Sequence, residues 1–138
     1  MRTIVLKSMI MVAALVCCMS CTKDDNGGGD ARDPFVGAFR IHETIVVSGV
    51  TYTDDYVITI MKSSVVKSDI IIGNLANSGY SVNATVNATT FTIPPQVTNN
   101  GESVSGSGRL DGTNISFSLI VTEQGGVAIN VSGSGPKQ

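Results

Sequence analysis

The stretch "YSVNATVNA", residues 80–88, alternates without interruption: Tyr80, Val82, Ala84, Val86 and Ala88 are apolar or small, and Ser81, Asn83, Thr85 and Asn87 between them are polar. Successive side chains of an extended chain leave on opposite faces, so this pattern buries one face of a β-strand and wets the other. The same period returns in "NISFSLIVTE", residues 114–123, where Ile115, Phe117, Leu119 and Val121 oppose Asn114, Ser116 and Ser118. It returns again in "VAINVSGSG", residues 127–135, with Val127, Ile129, Val131 and Gly133 on the inner face. From Pro34 onward no window holds an apolar stripe at helical spacing. The expected fold class is therefore all-β.

Turn-forming residues punctuate these runs at Ser48-Gly49, Gly73-Asn74, Asn77-Ser78-Gly79, Asn99-Asn100-Gly101, Asp111-Gly112 and Gln124-Gly125-Gly126. They divide the chain into about eight strands, near residues 35–47, 52–62, 68–73, 80–88, 90–94, 103–110, 114–123 and 127–134. Short connections make each strand antiparallel to the next. Closing such an up-and-down meander into a barrel, over residues 34–138, removes its exposed edges. The inward set Phe35, Phe39, Tyr56, Ile58, Ile60, Val82, Val86, Phe91, Ile93, Phe117 and Leu119 is large enough to fill the interior. A barrel of this size can also hold one small ligand, so a filled core and a cavity both stand as readings. Pro94 and Pro95 have no N–H to donate and are expected to suppress strand pairing where they fall.

"VSGSG" occurs twice, at residues 104–108 and 131–135, with its glycines on the inward parity of Val104 and Val131. A phosphate-cradling loop needs Gly-Lys-Ser/Thr opening a helix, which neither copy has. Inward glycines instead let a small barrel bend and fit its narrow interior.

Before this domain, Arg2 and Lys7 flank the start of a short apolar run, "SMIMVAALV", residues 8–16. It falls short of the about 20 residues a membrane-spanning helix needs, and reads as a secretory signal over residues 1–20. All three cysteines follow that run, at Cys17, Cys18 and Cys21. Cleavage after Ser20 leaves Cys21 alone, which removes a disulfide or a zinc site from consideration. The arrangement resembles a bacterial lipoprotein signal, in which the cysteine after the cut receives lipid. Ser20 is suitably small, while Cys18 stands where Leu is commonest; the alternative "LVCC" has Leu15 in that place and makes Cys18 the lipidated residue. Lys23, Asp24 and Asp25 resemble the Lys-Asp-Asp surface-export signal of Bacteroidota-type lipoproteins. The other reading of residues 21–33 is a plain polar, Gly- and Asp-rich tether. The resemblance implies a lipid-anchored protein of the outer membrane, surface-exposed, or facing the periplasm if the export signal is not read.

Without its signal the chain is acidic, and Arg32, Arg40, Lys62, Lys67, Arg109 and Lys137 occur singly. That composition gives nucleic acid no basic patch to bind. His42 is the only histidine, so no multi-histidine metal site is expected. The sequence suggests no cofactor.

Residues 34–135 resemble the calycin-like, lipocalin-related β-barrel lipoproteins of the same bacterial group. The resemblance rests on "FVGAFRI" at the first strand, "YSVNATVNATTFTIPPQ" in the middle and the two "VSGSG" strands. Gly37-Ala38-Phe39 stands where the lipocalin first strand has Gly-x-Trp; the chain has no Trp, and its last strand has no arginine to pack across that ring.

Glu43 shares the parity of Phe39, Ile41 and Ile45 and is aimed inward, whereas His42 points to the opposite face, so the two do not form one acid/base pair. "TYTDDYV", residues 51–57, sets Asp54 and Asp55 in series but lacks the alternating oxygen ligands of a calcium loop. Glu43, Tyr52, Asp54 and Tyr56 make up a candidate binding rim at one mouth of the barrel. No Gly-x-Ser-x-Gly elbow is present, and no acid, base and nucleophile converge in the pattern. The expected function is a non-enzymatic binding or interaction module whose partner is a small apolar ligand or a protein. A second reading is an inhibitor-type lipoprotein whose loop "TIPPQVTNNGE", residues 92–102, blocks a partner enzyme. A small-molecule hydrolase is the weakest.

Overall fold

In the strand that grows from residues 80–88, Val82, Ala84 and Val86 are buried while Ser81, Asn83, Thr85 and Asn87 are exposed. Seven more antiparallel strands repeat that inside-out division, and the barrel closes where the last pairs with the first. The computed structural model describes residues 29–138. Cys18, Cys21, Lys23, Asp24 and Asp25, with the signal, lie outside the described residues. The strands are β1 (Gly37–Val47), β2 (Val50–Lys62), β3 (Asp69–Gly73), β4 (Ser81–Asn87), β5 (Thr90–Val97), β6 (Ser103–Asp111), β7 (Asn114–Thr122) and β8 (Ala128–Pro136). Each is bonded to its neighbour in sequence, as the short connections require.

The whole predicted inward set is buried, joined by Ile41, Ile70, Ile72, Leu75, Tyr80, Ala84, Val104, Leu110, Ile115, Val121 and Val131. Glycine explains how so many large side chains fit. Across one level of the wall the cross-strand partners run Phe91 (β5), Gly108 (β6), Phe117 (β7), Gly133 (β8) and Glu43 (β1). Large and small residues alternate, and each ring occupies the place a neighbouring side chain would take. A Cβ on Gly108 would fall on the Phe91 ring, 2.5 Å from its Cε1; one on Gly133 would lie 2.8 Å from Phe117 Cε2 and 2.9 Å from Ile41 Cγ2. At this level the barrel's own side chains occupy the interior.

Both ends are stoppered. At the entry end, where the chain joins β1, the 3-10 turn Asp33–Phe35, with Pro34 in its first positions, drives Phe35 inside, edge-on to Phe91 with ring centroids 5.9 Å apart. Lys137, just past β8, crosses this end with its ammonium 5.8 Å from the centre of the Phe39 ring. The cation that the last strand itself lacks is thus supplied one residue after it. The connections β2–β3, β4–β5 and β6–β7 also lie at the entry end. At the far end the β3–β4 connection folds over the mouth and buries Leu75.

Four expectations need correction. Ala88 is not an inward strand residue but half of the two-residue turn after β4, with φ of 53°. Val127 is exposed in the connection before β8. Phe35 precedes the first strand. Pro94 and Pro95 do not end β5, which runs to Val97 with a shift of register between Ile93 and Gln96. The prolines are absorbed by that bulge, and a side chain stands in for lost backbone pairing: the Gln96 amide accepts from the Asn83 N–H at 2.9 Å and donates to the Asn83 carbonyl at 2.8 Å.

Candidate functional site

Inward parity places Glu43 among apolar residues, and its side chain is 1% exposed. It is thus not at a watery mouth but beneath the far-end plug. Tyr56, inward on β2, donates its hydroxyl hydrogen to Glu43 Oε2. The same phenolic oxygen accepts the Ala76 N–H at 3.1 Å, tying the plug to the pair. Asn74, Ala76 and Asn77 all have φ near 50–60°, at 59°, 54° and 48°, a conformation costly for Ala in particular. Polar ties hold them there. Asn74 Nδ2 donates to the Val57 carbonyl at 2.9 Å, the Asn74 side-chain oxygen accepts the Gly79 N–H at 3.1 Å, and Asn77 Nδ2 donates to Asp54 Oδ2 at 2.7 Å.

Three buried oxygens in the far half lack hydrogen-bond partners: Glu43 Oε1, the Tyr80 hydroxyl and Thr98 Oγ1. Burial raises the Glu43 carboxyl above its ordinary value; the Tyr56 hydrogen bond opposes this and the Asp54 charge adds to it. The Tyr56 phenol is pushed far above its usual range by burial and by its bond to Glu43. Tyr80 is raised as well, first by burial, with the charges of Glu102 and Glu43 adding. Raised phenols keep their protons at neutral pH, so neither tyrosine is poised as a base. What the cluster does in this fold is fasten the plug.

The rim residues therefore separate. Glu43 and Tyr56 meet inside, whereas Tyr52 is 56% exposed and Asp54 lies on the surface, bonded to Asn77 and to the Asp55 N–H. The cause lies in strand lengths. β2 pairs with β3 only from Thr59 to Lys62, so its first half, Val50 to Asp55, is bonded to β1 alone and leaves an open edge on the β3 side, while β1 itself stays paired with β8 as far as Val46. His42 and Asp55 face each other on the outer face of β1 and β2 at 3.1 Å, both well exposed. Tyr80 joins the buried pair, marked in the sequence only by its inward parity, and Thr98 is buried with no sequence signal for it. Among the described residues no three His, Cys, Asp or Glu side chains converge in a ligating cluster.

Two open grooves lie outside the wall. One groove of about 420 Å³ crosses β6, β7, β8 and β1, lined chiefly by Thr44, Val46, Ser105, Ile120, Asn130 and Ser132. A second, of about 490 Å³, runs over β5, β6 and β7 along Thr90, Thr92, Ser107, Arg109, Ser116 and Ser118. Neither is a closed ligand chamber. No helix among the described residues is long and apolar enough to cross a membrane.

No family model matches the chain, and no curated protein does. Among solved structures it is similar to a "putative outer membrane protein" of Bacteroides fragilis, with a TM-score of 0.59 at 14% identity over 78% of this chain and 53% of that one. The chain thus spans about half the length of that protein. At this identity the likeness concerns the fold.

Proposed function

We propose that the protein is a lipid-anchored outer-membrane or cell-surface lipoprotein whose barrel is a non-enzymatic interaction module working through its outer surface. One observation carries the reading: the barrel is apolar inside and polar outside. The outward residues of β4 are Ser81, Asn83, Thr85 and Asn87, and β8 presents Asn130, Ser132 and Ser134. A barrel that spans a membrane is built the other way round, with an outward apolar band about 25 Å tall. Retention at a membrane then falls to the segment before the barrel, where Cys21 offers a site for lipid. The name of the Bacteroides structure agrees with that location. The filled levels of the interior favour surface interaction over carriage of an apolar ligand. The β1–β2 hairpin bearing Val50 and Tyr52, the exposed Val97 of the β5–β6 hairpin and the groove beside Val46 and Ile120 all lie toward the far end, where a protein partner or inhibited enzyme would meet them.

Detergent-phase partitioning tests the reading. Wild type enters the detergent phase and incorporates labelled fatty acid, while Cys21→Ala stays aqueous with an unchanged far-UV spectrum. Retention of Cys21→Ala in the membrane without incorporated fatty acid defeats the reading. Lipid incorporation by Cys21→Ala but not by Cys18→Ala moves the anchor to Cys18.

A further inference from the structure

The connection between β2 and β3 at the entry end lifts two valines into solvent, Val65 at 88% and Val66 at 44% exposure. The loop that does so is firmly held. Ser63 Oγ accepts the N–H groups of Val65 and Val66, each at 3.2 Å. The Arg32 guanidinium donates to the carbonyls of Ser63, Val66 and Asp69 at 3.2, 3.3 and 3.2 Å. Asp30 fixes that guanidinium in turn at 2.7 Å. The segment that enters the barrel thus braces this loop, and braces it with its apolar pair turned away from the core. Exposure of Val65 and Val66 costs free energy in water that packing onto the wall would recover.

Position and charge indicate what covers them. Gly29, the first described residue, lies eight residues after Cys21, a span of at most about 28 Å at full extension. Arg32, Arg40, Lys62, Lys67, Arg109 and Lys137 all belong to the entry-end half, and they are all the Lys and Arg of residues 29–138. Glu43, Asp54, Asp55, Glu102 and Glu123 lie toward the far end, and Asp30, Asp33, Asp69 and Asp111 at the entry end, so the entry half keeps an excess of two basic side chains, six against four, while the far half is wholly acidic. Lys62 is taken up by Asp30 and Asp33, whereas Lys67, beside the valines, is exposed and has no carboxylate partner among the described residues. A second copy of the chain is a poor occupant, because two valines and a lysine fall far short of the roughly 800 Å² per partner that a stable dimer buries.

We propose that the Val65-Val66 tip is a second membrane contact, in which both valines enter the interfacial layer of the anchoring bilayer and Lys67 rests against anionic headgroups. This inference rests on the lipid-anchor reading above. Insertion to roughly 5–10 Å suits a tip of this kind, and each basic residue at an anionic surface strengthens partition about fivefold. The contact turns the far end away from the membrane.

The test uses the full lipidated chain in vesicles of phosphatidylethanolamine with phosphatidylglycerol. An environment-sensitive fluorophore is placed on Val65→Cys or, at the opposite end, on Gln124→Cys, and the lipids carry a quencher near the headgroup. Quenching several-fold stronger at position 65 than at 124, weakened by V66N/K67Q, is the expected result. Equal quenching at the two positions in protein that floats with the vesicles overturns the tip contact and leaves the anchor intact. A spectral shift at 65 that grows with protein concentration without vesicles overturns it in favour of self-association. Protein that fails to float, as Cys21→Ala should, removes the anchor reading and this inference with it.

Discussion

Gly133→Ala adds one methyl group at the level where the Phe117 ring lies over glycine. Its Cβ would fall against Phe117 and Ile41, at 2.8 Å from Phe117 Cε2 and 2.9 Å from Ile41 Cγ2. Both side chains are buried, so neither can swing into water. Overpacking by a methyl typically costs about 1–3 kcal/mol. The stiffer unfolded chain of an alanine returns about 0.4–1 kcal/mol. A net loss of about 1–2 kcal/mol lowers the melting temperature of a domain near this size by roughly 10 °C. Thermal and urea unfolding of wild type, G133A, F117L and G133A/F117L forms the assay. Because the obstructing atoms nearest this Cβ belong to side chains, shortening Phe117 makes room, and the double variant should be about 1 kcal/mol more stable than the sum of the singles. Gly73→Ala is the control: its Cβ meets Thr59 O at 3.5 Å and Ser81 Oγ at 3.6 Å, ordinary contacts, so it should stay within about 0.5 kcal/mol of wild type. G133A melting with wild type, or singles that simply add, would refute the packing argument.

Glu43 contributes a pH dependence of definite sign. Its folded value is raised above the ordinary 4.5, so its stabilising effect is complete below that value and is lost as pH rises through the folded one. Glu43→Gln should remove this, its stability relative to wild type improving as urea midpoints are followed upward from pH 4; a constant gap at every pH counts against a raised carboxyl. Tyr56→Phe deprives the Ala76 N–H of its acceptor and Glu43 of its donor, at a cost of about 1–3 kcal/mol. Amide exchange should accelerate at Ala76 relative to β7, and uniform acceleration would mean that the pair does not hold the plug. Phe35→Ala unstoppers the entry end by deleting a fully buried ring, with an expected loss of about 3–5 kcal/mol; a variant that melts within a few degrees of wild type would show the 3-10 turn to be dispensable.

Period-two alternation made the barrel legible because it reports directly which side chains leave water. It put Glu43 and Tyr56 inside and His42 outside, as found. It was blind where the chain leaves the strand without a turn signature: Ala88 continues the pattern perfectly, yet a two-residue turn takes it over with positive φ. Pro94 and Pro95 misled in the opposite direction, since the register shift and the Gln96 amide that repair the pairing are tertiary facts. The rim failed as a unit because parity says nothing about length. Tyr52 and Asp54 share the parity of Tyr56, but β3 is too short to reach them, and they lie exposed where β2 is bonded to β1 alone. The stopper residue Lys137 over Phe39 lay beyond the last strand, where alternation carries no information. The Arg32 brace joins residues more than thirty positions apart, which no local pattern records.

The account stands on a barrel filled by its own side chains, with recognition left to the outside. Titration of the full chain, held in detergent-free vesicles, with a fluorescent fatty acid and with a soluble naphthalene-sulfonate dye tests this most directly, read against vesicles carrying no protein. The filled barrel predicts no saturable signal above that of the protein-free vesicles. Saturable one-to-one binding of either probe, competed by an unlabelled apolar ligand, would contradict it.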